Sequence, residues 1–249
     1  MTASNKQGPG EATRLDTDSW ALPVDRLNAS AVVVGARHDA VTGRRTAGPL
    51  QGFGQMWQKI LEVPLSGSSA TPQEVIAVWK ERFTDFWPDD AAFYAPLAGI
   101  RPGEVALLEV KPAPGPIRLS TGVVCIFADD ESFAFMTPEG HALAAWITFT
   151  AVTRDGATYA RVEALERAAD PLIELSYMLG GNRLNDRFWE RTLANVAAHF
   201  GAPDAVVERH VTCVDRRRQW RYFGNVRHSA VLTSFADTLV HPGSWLRRG

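Results

Sequence analysis

The stretch WITFTAVTRDGATYARVEALERA, from Trp146 to Ala168, contains two runs of alternating apolar and polar residues. Such alternation is typical of antiparallel strands that have one face in a core. The letters RDG between the two runs are suited to a tight turn. The stretch therefore predicts two neighbouring antiparallel strands.

A pattern of strand-like runs extends from Glu104 to about Arg167. The connections between the runs are short enough to make neighbouring strands antiparallel. Five strand-like runs are present: EVALLEV, IRLSTGVVCIFAD, ESFAFMTP, LAAWITFTAVTR and ATYARVEALERA. Between them lie the turn-forming segments KPAPGP, ADDE, PEGH and RDG. This region predicts a β-meander. A further long strand is predicted upstream, over Gly52–Leu65.

A helix is predicted to follow this upstream strand. Thr71, Pro72 and Glu74 form the pattern of a capping box with proline at the first helical position. This helix should end before Pro88, and the following FYAPLAGIRPGE is irregular.

Helices return after the meander, starting at Asp170-Pro171. The longest helix is predicted after Gly180-Gly181 and should end near Gly201. Its apolar positions form one stripe: Leu184, Phe188, Leu193, Val196 and Phe200.

Four of these segments together resemble the START-like (SRPBCC, Bet v 1-like) helix-grip superfamily, most closely its uncharacterised bacterial SRPBCC proteins. They are GFGQMWQKILEV, the helix after TPQE, the meander and NDRFWERTLANVAAHFG. The resemblance implies an α+β helix-grip fold, in which a curved antiparallel sheet wraps around a long C-terminal helix. The expected organisation is a flexible tail (1–19), an N-terminal extension (20–51), the START-like domain (52–203) and a C-terminal extension (204–249).

The resemblance also implies a hydrophobic cavity between sheet and long helix. Members bind lipids, sterols or polyketides, and some catalyse cyclisation, aromatisation or dehydration. We therefore expect binding of a hydrophobic or amphipathic small molecule without a cofactor. The alternative is a polyketide cyclase- or dehydratase-type enzyme of secondary metabolism. The candidate lining residues are Trp57, Phe135, Trp146, Thr148, Tyr177 and Trp189.

Two sets of polar residues are candidates for acid/base catalysis. Glu139 and His141 flank Gly140, and histidine titrates near neutral pH. The competing interpretation is a solvated turn, because the segment TPEGH contains a proline and a glycine, which favour turns. Arg161 and Glu163 form the second set and would face Thr148 across neighbouring strands. Plain alternation instead turns these polar residues to solvent and Ile147 and Phe149 inward.

Composition excludes several other classes. The 249-residue chain has a net charge of −2 and a pI near 6.3, unlike a dedicated nucleic-acid binder. The histidines and the two cysteines have no metal-ligand spacing, and no signal peptide or membrane span is expected. We predict a cytoplasmic protein and leave a homodimer open.

The segment DRRRQWRYFGNVRH, from Asp215 to His228, mixes five arginines with aromatic residues. Such a segment suits an anionic membrane surface or an acidic partner, which would make the protein an interaction protein. The competing interpretation is a solvated basic segment whose rings pack on the domain.

Overall fold

The computed structural model of the chain describes residues 21–22, 24–28, 41–110, 119–229 and 232. The predicted tail and the KPAPGP connection lie outside these residues, as do parts of both predicted extensions. The strands are β1 Met56–Pro64, β2 Ala91–Tyr94, β3 Val105–Val110, β4 Leu119–Ala128, β5 Ser132–Met136, β6 Leu143–Arg154, β7 Ala157–Ala168 and β8 Glu208–Asp215. The helices are α1 Pro72–Glu81, α2 Pro171–Ser176 and α3 Asn182–His199, with 3₁₀ turns at Pro49–Gln51, Phe83–Phe86 and Trp220–His228. A π-helical segment, Tyr177–Gly181, joins α2 to α3.

The strands form one antiparallel sheet in the order β2-β3-β4-β5-β6-β7-β1-β8. One face of the sheet packs against α1 and α3, so the predicted α+β helix-grip fold is confirmed. β2 was not predicted, and its last two residues, Phe93 and Tyr94, begin the stretch FYAPLAGIRPGE, which was expected to be irregular. The sheet also extends past the predicted domain boundary at residue 203, because β8 pairs with β1.

The β6–β7 hairpin fixes which residues face the helices. Phe149 pairs with Val162, and Ile147 pairs with Ala164. All four side chains are buried in the main core beneath α1 and α3. Because side chains alternate along a strand, the intervening residues lie on the opposite, outer face of the sheet.

Helix α1 begins as its sequence predicts. The Thr71 hydroxyl accepts from the backbone N–H of Glu74, and the Glu74 carboxylate accepts from the backbone N–H of Thr71. This confirms the capping box. The helix ends at Glu81, before the 3₁₀ turn Phe83–Phe86 and well short of Pro88.

Part of the predicted N-terminal extension packs on the outer face of β3 and β4. Leu27 and Val41 from the extension join Val105, Leu107 and Val124 in a second, smaller core. The backbone of Leu27 is held by hydrogen bonds to Gly43 and Arg44. This half of the sheet therefore has apolar residues on both faces, which explains why β3 reads as a nearly continuous apolar run.

The buried face of α3 differs from the predicted stripe. Leu193 and Val196 are buried, but Leu184 is exposed and Phe188 is half-buried. The helix instead buries Trp189 and the charged Asp186. The predicted stripe is therefore wrong only at Leu184, since Phe188 packs partly buried against the main core.

Candidate functional site

Lys59, Glu166 and Asp186 form a buried ionic group between the sheet and α3, called here the Lys59 cluster. The Lys59 Nζ lies 2.8 Å from Oε1 of Glu166 and 2.7 Å from Oδ1 of Asp186. Lys59 and Glu166 occupy inward positions on the neighbouring strands β1 and β7, and Asp186 is in the first turns of α3. All three side chains are almost fully buried. Burying charges is costly unless they are paired, and here each is paired.

The two carboxylates keep Lys59 charged. Burial by itself lowers the pKa of the lysine, but Glu166 and Asp186 outweigh burial and hold that pKa above its ordinary value of 10.5. A protonated amine is a hydrogen-bond donor and cannot act as a nucleophile. The site therefore lacks the chemistry for a Schiff base at Lys59.

Further polar side chains surround the Lys59 cluster. The Asn185 amide donates to both carboxylate oxygens of Glu166, each at 3.2 Å. Arg209, from β8, donates to Glu190 at 2.8 Å and lies 3.3 Å from Asp186. The Lys59 Nζ also lies 5.7 Å from the centroid of the Tyr177 ring. The cluster thus connects β1, β7 and β8 to α3 and the π-helical segment.

Trp57 and Tyr177 are half-buried at this end of the interior. Trp57 is on the inner face of β1, opposite Glu166 on β7 and Cys213 on β8. Burial, followed by the charges of the nearby carboxylates, raises the pKa of Tyr177 well above 10, so its hydroxyl keeps its proton. No described residue forms a hydrogen bond with that hydroxyl. The Tyr177 hydroxyl can therefore donate to water or to a ligand beside the Lys59 cluster.

Three tryptophans in the described interior also carry unused donors. The indole N–H groups of Trp79, Trp87 and Trp189 are buried and have no hydrogen-bond partner. Trp189 follows Asn185 by one turn of α3, and the rings of Trp87 and Trp189 have centroids 6.1 Å apart. A buried donor without an acceptor costs about 1–3 kcal/mol, so such groups call for an acceptor from outside the described chain.

Aromatic rings fill the interior between α1 and the middle of the sheet. The rings of Phe133 and Phe149 stack with centroids 4.6 Å apart and planes at 7°. Further contacts, between 4.7 and 6.2 Å, connect these rings to their neighbours. This ring cluster consists of Trp79, Phe83, Trp87, Phe93, Phe133, Phe135, Phe149, Phe188 and Trp189. Side chains thus occupy this part of the space in which the resemblance implies a cavity.

The predicted lining residues divide between the two faces of the sheet. Trp57 and Phe135 are on the inner face with Trp189 and Tyr177, as described above. Trp146 and Thr148 are on the outer face, where Trp146 is 41% exposed and its N–H donates to the Thr148 hydroxyl. Their predicted place in the sheet–helix space is wrong, because Ile147 and Phe149 take the inward positions of β6.

The predicted acid/base residues lie at separate places. Glu139 and His141 are in the turn between β5 and β6, and neither a hydrogen bond nor an ion pair joins these two described residues. Arg161 pairs with Glu62, and Glu163 accepts from Gln58, both on the outer face. Arg161 and Glu163 therefore lie on the face of the sheet opposite α1 and α3, as plain alternation indicates.

His141 itself has an unusual environment. Its Nδ1 accepts from the backbone N–H of Leu143 at 2.9 Å, and burial lowers its pKa from 6.5 to about 4.

The lowered pKa of His141 makes the stability of the fold depend on pH. The folded protein becomes less stable as pH falls from about 6.5 to about 4, because the unfolded chain binds a proton at this histidine before the folded protein does. We expect the free energy of unfolding of the His141→Gln variant to fall less across this range, measured by urea denaturation. An equally steep fall in both proteins would contradict this assignment.

Sequence reasoning missed Lys59, Glu166 and Asp186 as a group. A signal was present, since Lys59 alternates in phase with Trp57 and Leu61, and Glu166 with Val162 and Ala164. A charged residue at a core position of a strand indicates either a buried partner or a ligand. Asp186 on α3 was not predicted as the partner of Lys59, because it lies outside the apolar stripe of this helix.

No protein-family model and no curated protein sequence matches the chain. Solved structures with a similar backbone include protein Ms6760 from Mycobacterium smegmatis, at 13% identity and a TM-score of 0.42, over 58% of this chain and 91% of that one. A START superfamily protein from the same organism has 12% identity and a TM-score of 0.38 (59% and 98% covered). The major latex-like protein 151 from Panax ginseng has 10% and 0.36 (59% and 99% covered). At these values the similarities carry no argument about function, and the fold assignment rests on the strand order and α3.

Two features of the described residues bear on other functions. No helix in these ranges is both long and apolar enough to span a membrane. The same ranges contain no group of three or more histidine, cysteine or acidic residues arranged to hold a metal ion.

Proposed function

We propose that the protein binds a hydrophobic small molecule that carries a hydrogen-bond acceptor, at the end of the interior formed by Trp57, Tyr177 and Trp189. The observation that carries this proposal is the set of buried indole N–H groups that have no acceptor among the described residues, with the donor hydroxyl of Tyr177 at the same end. A ligand carbonyl, ether or hydroxyl oxygen supplies the missing acceptor. Ligand sites of this kind are mostly apolar with a few placed polar groups.

Three features favour this end over the middle of the sheet. The ring cluster occupies the middle, whereas Trp57 and Tyr177 are half-buried and thus reach solvent. The Lys59 cluster holds β1, β7 and α3 in fixed positions beside them. The π-helical segment starts at Tyr177 and breaks the helical path at Gly180, where φ is 104°, and such segments occur frequently at functional sites.

The proposal does not extend to acid/base catalysis by the residues predicted for it. His141 and Glu139 belong to a turn, and Arg161 and Glu163 lie on the outer face of the sheet. They provide no joint group directed at Trp57 and Tyr177. The buried indole N–H groups support the proposal of binding.

The test uses 6-propionyl-2-dimethylaminonaphthalene, a neutral fluorescent probe with a carbonyl acceptor, in titrations with the purified protein. We expect the Trp189→Phe and Tyr177→Phe variants each to bind it about fivefold more weakly, the value of one hydrogen bond. The matched control is Trp146→Phe, which removes an indole N–H from the outer face. An equal loss in the control, or no saturable binding by the unaltered protein, would contradict the proposal.

A second probe separates hydrogen bonding from packing. 2-Dimethylaminonaphthalene keeps the ring system and lacks the carbonyl group. Its affinity should be the same for the unaltered protein and for both phenylalanine variants, because no acceptor is present to lose. If the variants weaken both probes equally, the tyrosine and tryptophan act through shape and the free donors are irrelevant.

A further inference from the structure

Large apolar side chains are exposed on two segments of the chain. In the π-helical segment, Met178 is 68% exposed and Leu179 is 80% exposed. In the 3₁₀ turn Trp220–His228, Trp220 is 69% exposed and Phe223 is 52% exposed. The latter two rings stack on each other, with centroids 6.2 Å apart and planes at 14°. Single exposed apolar residues are ordinary, but a group of them marks an interaction site.

These two segments adjoin each other. The Arg218 guanidinium donates to Glu174 of α2 at 2.9 Å and lies 3.5 Å from the Met178 sulfur. Trp220 packs its edge against Phe53. Gly54, which follows Phe53 in the chain, lies against Glu174. A Cβ added at Gly54 would clash with the Glu174 carboxylate. We call residues 171–187 and 216–228 together the arginine face.

The arginine face is strongly basic in a chain whose net charge is −2. It contains seven arginines and two acidic residues, for a net charge of +5. Both acids are already used, since Glu174 pairs with Arg218, and Asp186 pairs with Lys59. Five arginines are exposed and have no acidic partner among the described residues: Arg183, Arg187, Arg216, Arg221 and Arg227.

We propose that the arginine face docks on the surface of an anionic lipid bilayer. Phosphate and carboxylate head groups supply the negative charge that the exposed arginines lack. The stacked Trp220 and Phe223, with Met178 and Leu179, supply apolar groups that enter the interface between head groups and acyl chains. A nucleic acid or an acidic peptide would pair with the arginines but gives Met178 and Leu179 no apolar surroundings. The combination of charge and apolar exposure favours the bilayer.

Docking there has a consequence for the candidate site. Met178 and Leu179 directly follow Tyr177 in the chain. A bilayer in contact with them lies against the end of the interior at which Trp57 and Tyr177 reach solvent. A ligand held in the bilayer would then enter the site without crossing water. The docking itself does not depend on the small-molecule proposal.

The experiment is co-sedimentation of the full chain with vesicles of phosphatidylcholine, with and without 30% phosphatidylglycerol, at low and high salt. We expect binding to the anionic vesicles only, weakened by salt because screening reduces the attraction. Arg216→Gln/Arg221→Gln/Arg227→Gln should weaken it on the order of 100-fold, from about 1 kcal/mol per arginine. Trp220→Ala/Phe223→Ala should weaken it roughly tenfold, through loss of the apolar contact.

The matched control is Leu97→Ala/Arg101→Gln, an exposed apolar and basic pair between β2 and β3, at the other edge of the sheet from β8. This variant should bind vesicles as the unaltered protein does. Equal binding to neutral vesicles, or indifference to both the arginine and the ring variants, overturns the proposal. So does binding to single-stranded DNA or polyglutamate at matched salt with no binding to anionic vesicles, which assigns the face to a soluble polyanion.

Discussion

The Lys59→Met variant is expected to lose about 3–5 kcal/mol of its free energy of unfolding at neutral pH, the usual cost of removing one partner from a buried ion pair. The substitution leaves the carboxylates of Glu166 and Asp186 inside the protein without their shared cation. Asn185 still donates to Glu166, and Arg209 still lies near Asp186. These contacts limit the loss in the free energy of unfolding. Urea denaturation at pH 7 measures it.

The loss should depend on pH in a specific direction. In the unaltered protein the pKa of Lys59 is raised in the folded state, so its stabilising effect is complete below 10.5 and disappears as pH rises through the folded value. Between pH 5 and 9 this contribution is therefore constant. The difference in stability between the two proteins should therefore shrink only above pH 10.5, where Lys59 loses its proton in the unaltered protein. A deficit that changes strongly between pH 5 and 9 would contradict this account.

A neutral variant provides the control. Lys59→Met/Glu166→Gln/Asp186→Asn removes the cation and both anions while keeping side chains of similar size. Replacing a buried ion pair by neutral groups often costs little, so we expect this triple variant to recover most of the lost stability. If it is as unstable as Lys59→Met, the loss arises from poor packing of methionine at position 59 and has no electrostatic origin.

The strand arrangement was predictable because alternation is a local property. Phe149 and Val162 are on inward positions of β6 and β7, as the apolar parity of their runs indicates. The same parity places Trp146 outside, against the expectation that it meets a ligand. Trp146 shares the parity of Thr148 and Thr150, and this is the outward parity of β6. Its N–H is satisfied locally by Thr148, which a single-strand pattern does not reveal.

The candidate site was less predictable because it depends on contacts between distant parts of the chain. Lys59 and Asp186 are separated by 127 positions, and their pairing follows from the rotation of α3 about its own axis. Apolar periodicity sets that rotation only approximately, since a buried charge pair can replace an apolar contact. The free donors of Tyr177 and Trp189 are likewise a property of the packed interior. Sequence indicates which residues are inward but not which of them lack a partner.

The Phe149→Ala variant is expected to lose about 3–5 kcal/mol of its free energy of unfolding, the usual range for a fully buried phenylalanine. Phe149 is wholly buried and contacts the rings of Phe133, Trp79 and Trp189. Removing it leaves a cavity that the surrounding rings cannot fill without leaving their rotamers. The matched control is Phe223→Ala, which removes the same ring from an exposed position and should cost less than about 1 kcal/mol.

The effect of benzene on the melting temperature tests whether the ring cluster fills the middle of the sheet. An apolar cavity left by a deleted ring stays dry and binds benzene, and a ligand that binds only the folded state raises stability by mass action. Because benzene could also bind at the Trp57 and Tyr177 end in both proteins, the informative quantity is the difference between their responses. We therefore expect benzene to raise the melting temperature of Phe149→Ala more than that of the unaltered protein. An equal rise in both would mean that deleting the ring opens no new cavity, and would contradict the tight packing of the ring cluster.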